Sequence, residues 1–566
     1  MATYNTPGIY VEEISNLAPS VAQVATAVPA FLGYTENGYN GNTVATRIDT
    51  LLDYTTKFGG PNQSLFSVDM GLNVSRTDKI NFLMYYAVQM YFLNGGGSCY
   101  IISVGDYTTT VMSKTDFENG LALLEKQDEP TIIVMVDAVN LAKTDYYPVC
   151  QEALAQCDTL RDRFLIVDVI KDGSISVSSP STAAVATTQL SPSSQVAAPT
   201  VNPPQDVLDF RSNIGMEYLC YGAAYYPYLQ TNISYQYLDE NVTIVNFVLL
   251  GSETGNGITV YYADMNPVNK SANVSISTGT TASCSFDTTT VSGTLKITLP
   301  STTTTAAQLV TAWQSWGGAR SKFNITQNGD GSATITPTTG STPLATAAQT
   351  LDTFKTTNTL LYNQVKTKLS SQYITLPPSS AMAGIYVSVD RDRGVWKAPA
   401  NVSVASVIGP AIQINNDAQS LLNVDTVGGK SINAIRAFTG KGTLVWGART
   451  MAGNSNDWRY ISVRRLLLTI EESCQRASSF AVFESNDAVT WLKVRSMIES
   501  YLYRLWEQGA LVGATQPSAY FVNVGLGKTM VPQDVLEGRM IVEVGVAPAR
   551  PAEFIILRFT QMIQQS

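Results

Sequence analysis

Not one histidine occurs in the 566 residues of this chain. That absence removes imidazole as base, proton shuttle or metal ligand, and with it the Ser-His-Asp and Cys-His machineries. An enzyme built on this sequence would have to work through paired carboxylates or a Ser–Lys pair. Charge is also scarce, with 14% of residues Asp, Glu, Lys or Arg against about a quarter in an ordinary soluble protein. The balance is acidic, at −9 with an isoelectric point near 4.8, so a nucleic-acid partner held by phosphate neutralisation is not expected. No run of eighteen or more apolar residues occurs, and no membrane insertion is expected. The opening residues lack a basic stretch followed by an apolar one, the pattern of an ordinary secretory leader. The Asn-x-Ser/Thr triplets at 232–234 and 241–243 then read as chance in a chain rich in Ser and Thr. Six cysteines stand at 99, 150, 157, 220, 284 and 474 without a Cys-x-x-Cys pair. They offer no zinc or thioredoxin scaffold and read as buried free thiols. No metal and no cofactor is expected.

What is present is apolar and long. Hydrophobic residues make up 45% of the chain, enough for two to four domains with ample core. The runs AFLGYT (30–35), CYIISV (99–104), TIIVMV (131–136) and FLIVDVI (164–170) carry no polar alternation. Helical patterns separate them: NFLMYYAVQMYFL ending at Gly95-Gly96-Gly97, then GLALLEKQ, then DYYPVCQEALAQC. Strands buried on both faces and spaced by helices imply a parallel or mixed sheet covered on both sides. Asp137 and Asp168 follow or end such strands, where open α/β sheets place their sites; they read either as reactive carboxylates or as helix-capping and loop aspartates. Residues 173–205 contain no charge and no aromatic and read as a surface loop. MEYLCYGAAYYPYL (216–229) supplies a further strand.

Between Asn241 and Thr350 only eight residues are charged and threonine abounds. Short runs such as NGITVYYA, ANVSISTG, GTLKITLP, FNIT and GSATITP predict a compact β-rich insertion holding one helix, TTAAQLVTAWQSW. The helical pattern returns over 351–372, with Leu360, Leu361, Val365 and Leu369 assigned to one face. VGLGKT (524–529) is not a phosphate loop, because the glycine required five residues before Gly527 is replaced by Val522; it reads as a turn.

The stretch ITLPPSSAMAGIYVSVDRDRGVWKAPANVSV (374–404) resembles the Pro-Pro-Ser/Gly…Ala-Gly-Ile…Asp-x-x-Arg-Gly-Val-Trp signature of contractile tail sheath proteins. These occur in contractile-tailed phages, R-type tailocins and phage-like contractile injection systems. NAIRAFTGKGTLVWGART (433–450), the segment 458–514, GVAPARPAEFIILRFTQ (545–561) and the opening TPGIYVEEI resemble further family segments in the same order, about two thirds of the chain in all. The insertion and the 173–205 loop lie outside the resemblance.

The two chain ends read alike without the family. In TPGIYVEEI, Ile9, Val11 and Glu13 alternate with Tyr10, Glu12 and Ile14; near the other end, Pro548 and Pro551 precede an extended run in which Phe554 and Ile556 alternate with Ile555, Leu557 and Phe559. An unpaired strand is a hazard unless it finds a sheet edge. Each arm either pairs within its own domain or is donated to a neighbouring copy; the resemblance implies donation, with Ile9, Tyr10, Val11, Glu12 and Ile14 at one end and Phe554, Ile555, Ile556, Leu557 and Phe559 at the other. Trp491, Val494, Met497, Ile498, Tyr501, Leu502, Leu505 and Trp506 recur at helical spacing after the cap candidates Ser485-Asn486-Asp487. By resemblance, the polar face of that helix, with Lys493, Arg495, Glu499 and Arg504, is the candidate tube-facing surface.

The expected architecture is multidomain, α/β and α+β. An arm (1–20) leads into an inner α+β domain (21–105 and 401–545); an outer α/β domain with a mixed sheet (106–237 and 351–400) carries the β-rich insertion (238–350), and a second arm (546–566) closes the chain. The resemblance implies a non-enzymatic sheath subunit that polymerises helically around an inner tube and contracts to drive it through a target envelope. It also implies partnership with its own copies, the tube, a baseplate and a terminal cap, in a virion tail or phage-like particle assembled in the bacterial cytoplasm. A hydrolase on the α/β domain, or another self-assembling shell such as a capsid or surface layer, are the alternatives.

Overall fold

The computed structural model describes residues 21–37, 44–69, 72–171, 203–244, 248–249, 257–262, 272–287, 293–316, 323–338, 340, 342–343, 345–346, 349–357 and 359–556. The apolar runs of the first half pair as parallel strands, as their lack of alternation predicts. Pro29–Thr35 lies between Cys99–Asp106 and Ile132–Met135. Ile132–Met135 then pairs with Phe164–Asp168, that strand with Gly222–Tyr226, and that with Ile432–Phe438. Antiparallel strands finish both sides: Ala45–Ile48 at one, Gly442–Val445 and Val402–Ser403 at the other, nine strands in all. Every residue of Pro29–Thr35, Ile132–Met135, Phe164–Asp168 and Gly222–Tyr226 is buried. Helices Lys114–Leu124 and Lys143–Leu160 pack on the sheet and on each other, as do Met84–Leu93 and Ser379–Arg393.

This sheet runs across two boundaries drawn from the sequence, at 105 and at 400. Strands before 105 and after 400 pair with those between them. Parallel partners range from Ile132 with Phe164 to Ala224 with Ile432, always across a crossover, so local pattern locates the strands but not their neighbours. The helix Ser379–Arg393, inside the signature stretch, shows why its glycine is there. A Cβ on Gly384 would stand 2.6 Å from the carbonyl oxygen of Tyr91 and 2.9 Å from Cβ of Asn94. Only glycine lets this helix approach Met84–Leu93 so closely.

The insertion is rooted where Val242–Ile244 pairs with Gln349–Thr350 on one side and Phe66–Val68 on the other. Beyond that root stand two four-stranded sheets, one containing Ile258–Tyr262 and Phe323–Gln327, the other Ala272–Thr278, Ser283–Asp287 and Gly293–Leu299. The helix Ala306–Ser315 starts at a reciprocal cap between Thr305 and Gln308. Ile258, Val260, Val274, Ile276, Leu295, Ile297, Leu309 and Trp313 belong to a core separate from that of the nine-stranded sheet. GSATITP forms no strand there, only one bridge from Thr334 to Thr305, while the strand Ser283–Asp287 escaped the sequence pattern. The helix expected over 351–372 comprises Leu351–Thr357 and Thr359–Leu369 among the described residues. Val365 and Leu369 are buried, but Leu360 is 71% exposed. Leu361 is half-buried against the large core, and Leu360, about 100° round the helix from it, turns to the open side.

Candidate assembly interface

The C-terminal region is organised by two helices. Ile461–Ala477 is buried on two sides: Ile461 and Leu468 join the core of the large sheet, while Leu466 and Ile470 join a smaller core. Ala488–Glu507 begins where the Asp487 carboxylate accepts the amides of Val489 (2.9 Å) and Thr490 (3.0 Å). It ends before Gly509, whose φ of +82° suits the left-handed turn. Its Val494, Met497, Ile498, Tyr501, Leu502 and Leu505 are buried, with Trp491 and Trp506 half-buried. They pack on Tyr520 and Val522 of the strand Tyr520–Val524, which pairs antiparallel with Val542–Val546.

That pair is a sheet of two strands and no more among the described residues. Two strands alone are marginal, and both edges offer unpaired backbone groups. Phe521 and Val544 are exposed on it, as are Leu526, Val531, Leu536 and Ile541 in the excursion joining the strands. In that excursion VGLGKT forms a turn: the amides of Thr529 and Met530 point at the carbonyl of Gly525 (3.1 and 3.2 Å), not outward toward a ligand.

Both described chain ends come to this region. Val21 is buried in the smaller core; its carbonyl accepts from Nη2 of Arg504 (3.0 Å), and the amide of Val24 donates to Oγ of Ser473 (3.2 Å). At the other end, residues 547–549 run beside 510–512, with Val512 donating to Ala547 (2.8 Å) and Ala549 to Ala510 (3.0 Å). Phe554, Ile555 and Ile556 follow, 70%, 80% and 78% exposed and in no strand. The remaining arm candidates, Ile9, Tyr10, Val11, Glu12, Ile14, Leu557 and Phe559, lie outside the described residues.

The face of Ala488–Glu507 expected to be polar is mixed. Lys493 is exposed and Arg495 pairs with Glu499 at 2.8 Å, but Val489 and Leu492 are exposed on this helix as well. Arg504 is engaged in holding Val21 rather than standing clear.

Three arginines that the sequence reading left without roles join this region to the large sheet. Arg465 grips Asp390 with two bonds, Nη2 to Oδ2 at 2.6 Å and Nη1 to Oδ1 at 2.9 Å. It also donates to the carbonyl of Thr26 (2.8 Å) and lies 4.7 Å from the ring centre of Tyr386. Arg464 is stacked on Tyr221 and Trp458. Asp390 is the first acid of the signature's Asp-Arg-Asp-Arg, so the motif supplies the anion of a buried pair. Arg449 binds Glu553 with both prongs of its guanidinium.

The two strand-end carboxylates are caps. Asp137 accepts the amides of Tyr34 (2.8 Å) and Leu83 (2.6 Å), the latter opening the helix Met84–Leu93. Asp168 accepts the amide of Ser379 (2.8 Å), the first residue of the signature helix. Burial pushes each up to about 7 against the lowering effect of those bonds. Both carboxylates are enclosed and turned to backbone amides. Among the described residues no three His, Cys, Asp or Glu side chains stand together to hold a metal, and no helix is long and apolar enough to cross a membrane.

Comparison with known proteins adds to this geometry. Residues 454–562 match the family model of the phage tail sheath C-terminal domain, the region just described. The tail sheath protein of Vibrio phage KVP40 is 25% identical over 187 residues, a match spanning 32% of this chain and 26% of that relative's length. Over the whole fold, the sheath of an extracellular contractile injection system, the PVC complex in its contracted state, superposes with a TM-score of 0.53 at 26% identity, covering 100% of this chain and 99% of that one. The helical sheath of the anti-feeding prophage in its contracted state gives 0.52 at 25% identity, covering 99% and 100%.

Proposed function

We propose, from its likeness to contractile tail sheath proteins, that this chain is the structural subunit of a contractile sheath. Copies polymerise helically around an inner tube and, on a signal from a baseplate, pass to a shorter and wider helix that drives the tube through a target envelope. Its partners are its own copies, the tube protein, the baseplate and a terminal cap. It works in a virion tail or phage-like particle put together in the bacterial cytoplasm, and it catalyses no reaction.

The observation that carries this reading is a sheet of two strands among the described residues, lying in the same small region to which both described ends of the chain come. Donated strands complete such a sheet through main-chain hydrogen bonds. Each bond is worth only about 0.5–1.5 kcal/mol net, so one link is modest, whereas a head-to-tail contact repeated along a helix becomes a continuous mesh. Links made of extended chain keep copies joined while their packing changes, and bistable packing of this kind converts a local trigger into a large motion.

Deleting residues 1–14 is the test. The shortened subunit folds, gives a cooperative melt and stays monomeric, while the full chain forms striated hollow cylinders under the electron microscope. Contractile cylinders built by the shortened chain would refute the proposal.

A further inference from the structure

Among the described residues, the C-terminal segment is held to the body of the chain at Glu553 by an ionic contact built from the sheet outward. Asn433, in the strand Ile432–Phe438, donates Nδ2 to the carbonyls of Ala224 (3.1 Å) and Arg449 (2.7 Å) and accepts the amide of Arg449 (2.8 Å). The Arg449 backbone is thereby locked to the nine-stranded sheet. Its side chain, 6% exposed, reaches two partners: Nε to Oε1 of Glu553 (2.9 Å) and Nη2 to Oε2 of Glu553 (2.6 Å), and Nη1 to the carbonyl of Asn423 (3.1 Å). Asn423 Nδ2 donates to the same carboxylate (3.3 Å), and the hydroxyl of Tyr460 lies 3.5 Å from it. Three residues earlier Arg550 donates to the carbonyl of Asn456 (3.0 Å). The next three residues, Phe554 to Ile556, touch little and stand open to solvent.

We propose that Arg449 is a positioning residue for the C-terminal arm: its fork holds Glu553 at the seam between the large sheet and the C-terminal domain and fixes the point from which the arm is donated. This rests on the arm-donation reading and adds to it an origin. The donated part begins at Phe554, and each extended residue of it adds about 3.3 Å of reach. Arginine suits the task because a planar two-pronged donor fixes orientation as well as distance, which a lysine does not. A held origin raises the effective concentration of the arm at its acceptor edge; a loose origin dilutes it.

The experiment compares four full-fold proteins: the unaltered chain, Glu553→Gln, Arg449→Lys, and a chain ending at Glu553. Three measurements are made: thermal melting of the monomer, hydrogen exchange of the amides from 551 to 556, and the fraction of subunits in sedimentable cylinders against subunit concentration. Glu553→Gln, which leaves Arg449 an oxygen acceptor but no counter-charge, still melts cooperatively though below the unaltered chain, exchanges at least tenfold faster over 551–556, and needs at least tenfold more subunit to assemble, with cylinders recovered at high concentration. Arg449→Lys shifts assembly in the same direction. The chain ending at Glu553 assembles at no concentration. If Glu553→Gln exchanges and assembles like the unaltered chain while the truncated chain does not assemble, the clamp is overturned and arm donation stands. If Glu553→Gln never assembles at any concentration, Glu553 makes the intersubunit contact itself and the positioning role is overturned. Assembly of the truncated chain would remove the arm-donation reading and the clamp with it.

Discussion

Replacing Asp390 by alanine strands a cation. Arg465 and Asp390 have side chains 3% and 4% exposed and meet through two bonds of 2.6 and 2.9 Å. With the carboxylate gone, the guanidinium keeps only the carbonyl of Thr26 and the face of Tyr386, neither of which neutralises its charge. Removing one partner of a buried pair costs about 3–5 kcal/mol, because the other is left uncompensated in a medium that solvates it poorly. At 1.36 kcal/mol per decade, that is a fall of roughly two to four decades in the folding equilibrium. Replacing both residues by apolar ones of similar size, Arg465→Met with Asp390→Leu, removes the stranded charge and should cost far less, about 2 kcal/mol or under. The assay is chemical denaturation of a monomeric form lacking residues 1–14, followed by tryptophan fluorescence, with the four corners of a double-mutant cycle. A loss below about 1 kcal/mol for Asp390→Ala, or a double variant whose loss equals the sum of the singles, would refute the account of this pair as the joint between sheet and C-terminal domain.

Three further outcomes are expected. Gly384→Ala forces a methyl against the Tyr91 carbonyl and Asn94 and should destabilise by about 1–3 kcal/mol in the same unfolding assay, whereas alanine at a solvent-facing helix glycine would stabilise. Asp168 titrates near 7 when folded against an ordinary value of 3.8, so the folded chain keeps a proton that the unfolded chain releases. Its contribution is therefore full below about pH 4, falls as pH rises toward 7 and levels off above, a swing of up to about 4 kcal/mol. Asp168→Asn keeps an acceptor for the Ser379 amide and should flatten that part of the stability–pH curve, leaving the part due to Asp137; an unchanged curve would count against the buried-cap assignment. Joining Ile244 to Gln349, which are cross-strand partners, through Asn-Gly should delete the insertion and leave the melting of the remainder and its assembly intact, read by calorimetry and electron microscopy.

The elements of the α/β body were legible because burial on both faces leaves an unmistakable mark: runs such as IIVM and FLIVD have no polar alternation, and each became a strand. The order of those strands was not legible. Pro29–Thr35 sits between partners beginning at Cys99 and Ile132, and no local pattern encodes a neighbour that far along the chain. The long helix could be drawn with its cap and its buried face, since the 3.6-residue period and Asp487 act within a few residues. Its outward face could not be foreseen in the same way: Val489 and Leu492 are exposed where a charged surface was expected, because period tells which residues share a face but not what covers it. The arginines were invisible for another reason. Arg449, Arg464 and Arg465 read as surface charge in a one-dimensional pattern; their meaning lies in Glu553, Trp458 and Asp390, and of these Asp390 and Glu553 are 75 and 104 residues away. The signature Asp390 and Gly384 could be quoted from resemblance, yet the reason for each, an anion for a buried cation and room for a carbonyl, needed the fold.

One helix, Ile461–Ala477, feeds side chains into two cores at once, and this has a mechanical consequence. A strut embedded on both sides in close-packed material cannot shear without opening voids on each side, so the large sheet and the smaller core behind this helix translate and rotate together as a stiff bead. Under the arm donation proposed above, the compliance of a chain of such beads lies in the strings between them, and string length rather than softness in the bead sets the spacing of the array.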